Sequence, residues 1–241
     1  MEIFSLENSI ALLTLTSLEI VLGIDNIVFI AIVASRLGPD RRDTARLIGL
    51  SVAIITRLLL LLTLSFLASL TDPMFAFAGR EFSGRDLILI AGGVFLIYKA
   101  TKEIHEKTEH KESELELAGG AKTVSMKGVV LQIVLIDIIF SLDSVITAVG
   151  MTNNLPVMAA AVVLAVVVML VFSGKIVDFI EANPTVKMLA LSFLLMIGFV
   201  LVLDGCGHHI EKGYIYFAMA FSLVVEMLNL RAARNNDTNR P

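Results

Sequence analysis

Residues 19–26 read Glu19-Ile-Val-Leu-Gly-Ile-Asp25-Asn26, and residues 137–144 read Asp137-Ile-Ile-Phe-Ser-Leu-Asp143-Ser144. Each stretch sets two carboxylates and one amide or hydroxyl inside an apolar run. Positions 19, 23, 25 and 26 recur 118 residues later, acid on acid and small on small, so one chemical pattern is written twice. A carboxylate at bilayer depth costs about 2.5 to 3.5 kcal/mol on insertion scales, and a bound cation or a proton is the natural compensator.

The surrounding composition sets the class. With 56% apolar residues, 17% charged residues and a mean hydropathy of +0.85, the chain is far more apolar than a soluble domain. Runs long enough to cross a hydrocarbon layer, which takes about twenty residues, fall near residues 9–33, 46–70, 86–99, 128–150, 156–175, 187–204 and 213–230. The third is short, and its helix is expected to continue past Tyr98. Lys and Arg stay on the cytoplasmic side of a span. Fifteen of them fall on one face of this arrangement against Arg80, Arg85 and Lys212 on the other, with Arg57 inside the second span. The N-terminus is therefore expected outside and the C-terminus inside. No Lys or Arg precedes the first apolar run, which itself carries Glu19 and Asp25, so that run is expected to be retained as a span and not cleaved as a leader. A single cysteine, Cys206, excludes an intramolecular disulfide and a cysteine-based metal knuckle.

Three spans separate the start of one motif from its copy, and an odd number reverses direction, so the halves read as inverted-topology repeats. The predicted fold is an all-α polytopic membrane protein with seven transmembrane helices, built as two inverted three-helix repeats plus one extra helix. Residues 1–100 form the first repeat, 101–125 a hydrophilic Lys- and Glu-rich cytosolic linker, 126–212 the second repeat, 213–230 the seventh helix and 231–241 a cytosolic tail.

On a straight helix at about 100° per residue, Glu19 and Asn26 share a face while Asp25 falls about 100° away. A helix break at Gly23, and at its counterpart Ser141, would focus the ligands and expose free carbonyls. Carboxylate, amide and hydroxyl oxygens are hard donors suited to Mn²⁺, Ca²⁺ or Mg²⁺. Closed zinc sites favour Cys or His, and Cu(I) favours sulfur. The candidate metal ligands are thus Asp25, Asp143, Glu19, Asp137, Asn26 and Ser144. Asn26 and Ser144 taken alone would serve as interhelical hydrogen-bond partners, worth about 0.6 to 2 kcal/mol. The carboxylates cost more than such contacts return. Arg57, deep in the second span, is expected to pair with one of these acids. Asp204 with His208 and His209 at the outer end of the sixth span, and Glu226 near the inner end of the seventh, complete the accessory candidates.

Several stretches together resemble a known family: Leu18-Glu19 through Asp25-Asn26, Phe140-Ser-Leu-Asp143-Ser144, Leu203-Asp204-Gly205, Gly213-Tyr-Ile-Tyr216 and Val225-Glu226-Met-Leu-Asn229. Over about residues 5 to 230 the chain looks like the TerC family, in the short form that consists of the membrane core alone. The resemblance implies a divalent-cation exporter, with manganese export from the bacterial cytoplasm as its best-supported activity. It also implies that Glu19, Asp25 and Asn26, with Asp137, Asp143 and Ser144, line the ion path.

The expected function is therefore Mn²⁺ efflux across the bacterial inner membrane by alternating access, coupled to protons. No phosphate-binding Gly-rich loop is present to use ATP. No enzymatic activity and no cofactor beyond the transported cation are expected. The partners are a divalent metal ion and the lipid bilayer, with no nucleic acid. Two other readings compete. An intramembrane aspartate-dependent hydrolase would share a proton between paired carboxyls, and a metal-binding membrane protein would bind without transport.

Overall fold

The computed structural model describes residues 6–34, 37, 39–63, 70–77, 79–109, 125–152 and 154–238. Among them the chain forms seven helices: α1 (Leu6–Ala34), α2 (Pro39–Leu62), α3 (Gly84–Thr108), α4 (Met126–Met151), α5 (Leu155–Ala182), α6 (Pro184–Gly205) and α7 (Lys212–Thr238). Five of these, all but α3 and α4, contain described stretches long and apolar enough to cross a membrane. The molecule is a helical membrane protein. One short feature departs from the all-α expectation. Strands β1 (Pro73–Phe77) and β2 (Arg80–Ser83) pair antiparallel ahead of α3, with Phe75 stacked on Phe82 at 5.5 Å. Alternating Phe75, Phe77 and Phe82 carry the strand signal.

Helix boundaries follow local chemistry. Ser83 and Asp86 form a reciprocal capping box at the start of α3, satisfying two backbone donors there. The Asn154 side chain accepts from the Val157 amide at the head of α5, and Pro156 follows where no amide is needed. Asn183 and Pro184 divide α5 from α6. The Asn183 amide donates to the Phe179 carbonyl at 2.7 Å, and Pro184 opens the next helix. After α6, Gly207 turns at φ +77°, and the His208 amide returns to the Leu203 carbonyl at 2.8 Å.

α2 spans Pro39–Leu62, and the Thr63 amide bonds to the Leu59 and Leu60 carbonyls. Residues 64–69 of the second apolar run lie outside the described residues. α3 runs to Thr108, into the segment read as linker, where Lys102–Glu106 and His105–Glu109 pair one turn apart. Residues 110–124 of that segment lie outside the described residues. α7 continues to Thr238, so Arg231, Ala232, Ala233 and Arg234, good helix formers, extend the helix into the supposed tail.

Packing pairs the elements across the chain. α1 lies along α5, α2 along α4 and α3 along α6, while α1 meets α4 and α2 meets α5 at the centre. The larger core joins Phe29, Ile30 and Val33 of α1 to Leu89 and Leu96 of α3, Ile133 and Ile136 of α4, and Leu191 and Leu194 of α6. A second core joins Leu15, Leu61, Leu142 and Val145 to Val157 and Met158. α3 and α6 touch backbone to backbone. A Cβ at Gly93 would stand 2.5 Å from the Gly198 carbonyl, and one at Gly198 would stand 2.9 Å from that of Gly93. Small residues allow this approach where lipid supplies no hydrophobic force between helices. Large apolar side chains such as Leu59, Val94, Leu131, Phe172 and Phe221 point outward, which suits a hydrocarbon surround. α7 is the least enclosed helix and packs on α6.

Candidate functional site

Both motif helices are continuous. α1 passes through Gly23 and α4 through Ser141 without a break, which decides a question the sequence left open. Gly23 is small for a packing reason, since a Cβ there would collide with Met169 Sδ of α5. Ser141 is buried, and its hydroxyl lies 3.4 Å from Asp137 Oδ2.

At the centre of the bundle, α1, α2 and α4 bring together Glu19 and Asn26, Thr56 and Arg57, and Asp137 and Ser141. Arg57, 2% exposed, lies between two carboxylates from different halves of the chain. Its Nη1 meets Glu19 Oε2 at 2.5 Å, its Nη2 meets Asp137 Oδ1 at 3.0 Å, and its Nε reaches the same oxygen at 3.3 Å. The planar fork of a guanidinium suits this bridging, because its donors point in fixed divergent directions. Asn26 Nδ2 adds a third donor to Asp137 Oδ1 at 3.1 Å. On the other oxygen of Asp137, the Thr56 hydroxyl stands at 3.2 Å and divides its proton with the Ala53 carbonyl at 3.0 Å.

With both acids ionised, the guanidinium cancels one of two negative charges, and the described cluster keeps a net charge of −1. Buried charges persist only where partners offset lost solvation, and here four side chains, Asn26, Thr56, Arg57 and Ser141, converge on Asp137. Asn26 Oδ1 is buried with no hydrogen-bond partner among the described residues, as is Thr16 Oγ1 one turn before Glu19. An amide oxygen without a protein partner beside two carboxylates is a hard donor of the kind that binds cations.

The remaining candidates divide. Asp25 adjoins Asn26 on α1 and Asp143 follows Ser141 by two residues on α4, and the side chains of both fall outside the described residues. Ser144 is buried, but its hydroxyl turns back to the Ser141 carbonyl at 3.3 Å. Among the described residues no three His, Cys, Asp or Glu side chains converge as a metal site. Asp204 belongs to a separate cluster at the opposite end of α6, where Oδ2 meets Arg85 Nη2 at 3.3 Å and Oδ1 meets His209 Nδ1 at 2.9 Å. His208 is exposed, and Glu226 is half-buried on α7.

Sequence reasoning did not single out Thr56, Thr16 or Glu103. Glu103, read as part of a solvated charge run, is buried on α3 in line with Leu96 and Ala100. The spacing of those three positions was the available signal. Thr56 had none, because a hydroxyl in an apolar helix is ordinarily satisfied by its own backbone.

An α-helical, multi-pass membrane protein whose two acidic helices meet around a buried arginine is the class that this fold and cluster define. The chain belongs to the Integral membrane protein TerC family, whose model matches residues 4–240. It is 54% identical over 224 residues to the UPF0053 inner membrane protein YoaE of Escherichia coli, covering 93% of this chain and 43% of that protein. It is 52% identical over 227 residues to the UPF0053 inner membrane protein YgdQ of the same species, covering 94% of each. A UPF0053 protein of Haemophilus influenzae is 51% identical over 228 residues, covering 93% of this chain and 94% of that one. The chain thus spans less than half of YoaE and nearly all of YgdQ. No solved structure matches it. The inner-membrane relatives and the apolar helices agree on a multi-pass inner membrane protein.

Proposed function

We propose that this chain exports a divalent cation, Mn²⁺ foremost, from the cytoplasm by alternating access. The observation that carries the reading is the Asn26–Asp137 hydrogen bond at 3.1 Å, which joins the two copies of the acidic motif inside the bundle. The orphaned Asn26 Oδ1 and the net negative charge beside it favour a hard cation. Asp25, adjacent to Asn26, and Asp143, adjacent to Ser144, are the proposed principal ligands, with Glu19, Asp137, Asn26 and Ser144 around them.

Helix packing supports two inverted repeats, in which α3 and α4 would cross the membrane beside the five helices whose described stretches are long and apolar enough. If α1, α2 and α3 correspond to α4, α5 and α6, a two-fold relation turns the α1–α5 contact into the α4–α2 contact and maps α3–α6 onto itself. Those three are the extensive pairings of the fold. Rocking one repeat against the other would expose a site at their interface to each side in turn. The excess of Lys and Arg at one set of helix ends supports an outer N-terminus and an inner C-terminus. Proton exchange on Asp25 and Asp143, the proposed principal ligands, is the proposed coupling.

Of the competing readings, an acid–base dyad shares a proton between two carboxyls, whereas Glu19 and Asp137 have a guanidinium between them. That favours transport over hydrolysis. Sealed vesicles containing the purified protein, loaded with a divalent-sensitive dye and given Mn²⁺, Ca²⁺, Mg²⁺ and Zn²⁺ under an imposed pH gradient, test the proposal. Mn²⁺ flux that responds to the gradient is expected, and binding without flux would leave a non-transporting metal protein. In cells, Asp25→Asn and Asp143→Asn should each raise cytosolic Mn²⁺. Normal clearance by either variant would overturn the arrangement.

A further inference from the structure

Arg57 is the one buried cation at the centre of the described bundle, and the repeat does not supply a second. The position 118 residues on is Lys175, which is exposed on α5 and borders an apolar groove of about 660 Å³ between α1, α5, α6 and α7. Two motif carboxylates, Glu19 of α1 and Asp137 of α4, therefore depend on one guanidinium carried by α2. Both acids face the cluster that contains the orphaned Asn26 oxygen. A divalent cation drawn to that cluster meets a fixed positive charge already seated on two of its acids, and the like charges repel strongly at such separations in a medium of low dielectric.

We propose that Arg57 is a tethered counter-cation of the transport site. It holds Glu19 and Asp137 when no cargo is bound, withdraws from them as the cation enters, and so lets the unloaded carrier reorient without exposing unpaired carboxylates to the hydrocarbon. This role rests on the export reading. Its consequence is a division between two modes of flux. Net efflux requires the unloaded carrier to return across the membrane, whereas exchange of Mn²⁺ for Mn²⁺ cycles only the loaded form. A cation needed solely by the unloaded form matters to the first mode and not to the second. Arg57 is accordingly a positioning residue that acts through Glu19 and Asp137.

The test compares both modes in proteoliposomes, with radiolabelled Mn²⁺ inside and either no Mn²⁺ or unlabelled Mn²⁺ outside. In the wild-type protein both modes are expected. In Arg57→Gln, exchange should stay within about threefold of wild type, net efflux should fall about tenfold or more, and Mn²⁺ should bind about tenfold more tightly once its competitor is gone. Arg57→Lys keeps the charge on a single ammonium that lacks the bridging fork, and should recover part of the net efflux. Size exclusion and thermal unfolding in detergent confirm assembly of each variant. If Arg57→Gln does not assemble, Arg57→Lys carries the comparison, and slower net efflux with unchanged exchange is the expected result. Parallel loss of both modes in an assembled variant, or retention of both, would overturn the role and leave Arg57 a structural strut. Neither mode in the wild-type protein would overturn the export reading itself and this role with it.

Discussion

Asn26 and Asp137, 111 residues apart in the chain, are joined by a hydrogen bond of 3.1 Å within the buried centre of the bundle. The amide donates through Nδ2 and leaves its own oxygen without a partner. Asn26 steadies an acid of the opposite motif, and under the proposed function its free oxygen is offered to a cation. Asn26→Ala should lower Mn²⁺ affinity roughly tenfold, the scale of one charge-assisted contact at about 1 to 3 kcal/mol. Titration of the purified protein by isothermal calorimetry measures this, and an unchanged affinity would remove Asn26 from the ligand set.

Removing one partner of the buried ion-pair cluster should be costly for stability. Asp137→Asn strips a carboxylate from Arg57, and a loss of about 3 to 5 kcal/mol is expected. The triple variant Glu19→Gln, Arg57→Met, Asp137→Asn removes all three charges together and should regain most of that stability while remaining inactive. Thermal unfolding in detergent paired with vesicle flux separates the two outcomes. A triple variant as unstable as the single one would show that the charges are needed for folding.

Two glycines should respond unequally to the same added methyl. At Gly93 the new Cβ meets the Gly198 backbone, which cannot yield without separating α3 from α6, and about 1 to 3 kcal/mol should be lost. At Gly23 it meets the flexible end of Met169, and Gly23→Ala should cost less than about 1 kcal/mol. The difference between the two apparent Tm values is the measurement. Equal losses would mean that α1 and α5 pack as rigidly as α3 and α6.

The cluster at the C-terminal end of α6 should be structural and independent of cation binding. Asp204→Ala deprives the part-buried Arg85 of its carboxylate and should destabilise the protein by about 1 to 2 kcal/mol, with Mn²⁺ affinity unchanged. His209, whose side chain is 71% exposed, should tolerate replacement by Ala within about 0.5 kcal/mol. A change in Mn²⁺ affinity in the Asp204 variant would instead tie that end of α6 to the ion path.

Much of this molecule was legible in one dimension. The apolar runs located the helices, and the 118-residue echo identified the acids before any contact was known. The limits of that reading lie where a local signal is overruled by a neighbour. Gly23 left a helix break open because glycine permits unusual backbone angles; its helix is continuous, and the missing Cβ makes room for Met169. Glu103 looked solvated because its sequence neighbours are charged, yet the helix turns it inward beside Leu96 and Ala100. The aromatic hairpin at residues 73–83 lay between two apolar runs and was hidden by them.

The amino-acid order alone determined that this chain belongs in a bilayer and that it carries paired acids on two helices, because hydropathy and spacing are properties of a segment and its solvent. Which carboxylates share Arg57, and that Asn26 reaches Asp137, was decided only by tertiary structure. Those contacts depend on the rotation and crossing of α1, α2 and α4 about one another. A helix's own sequence specifies its faces, but only its packed neighbours select which face meets which.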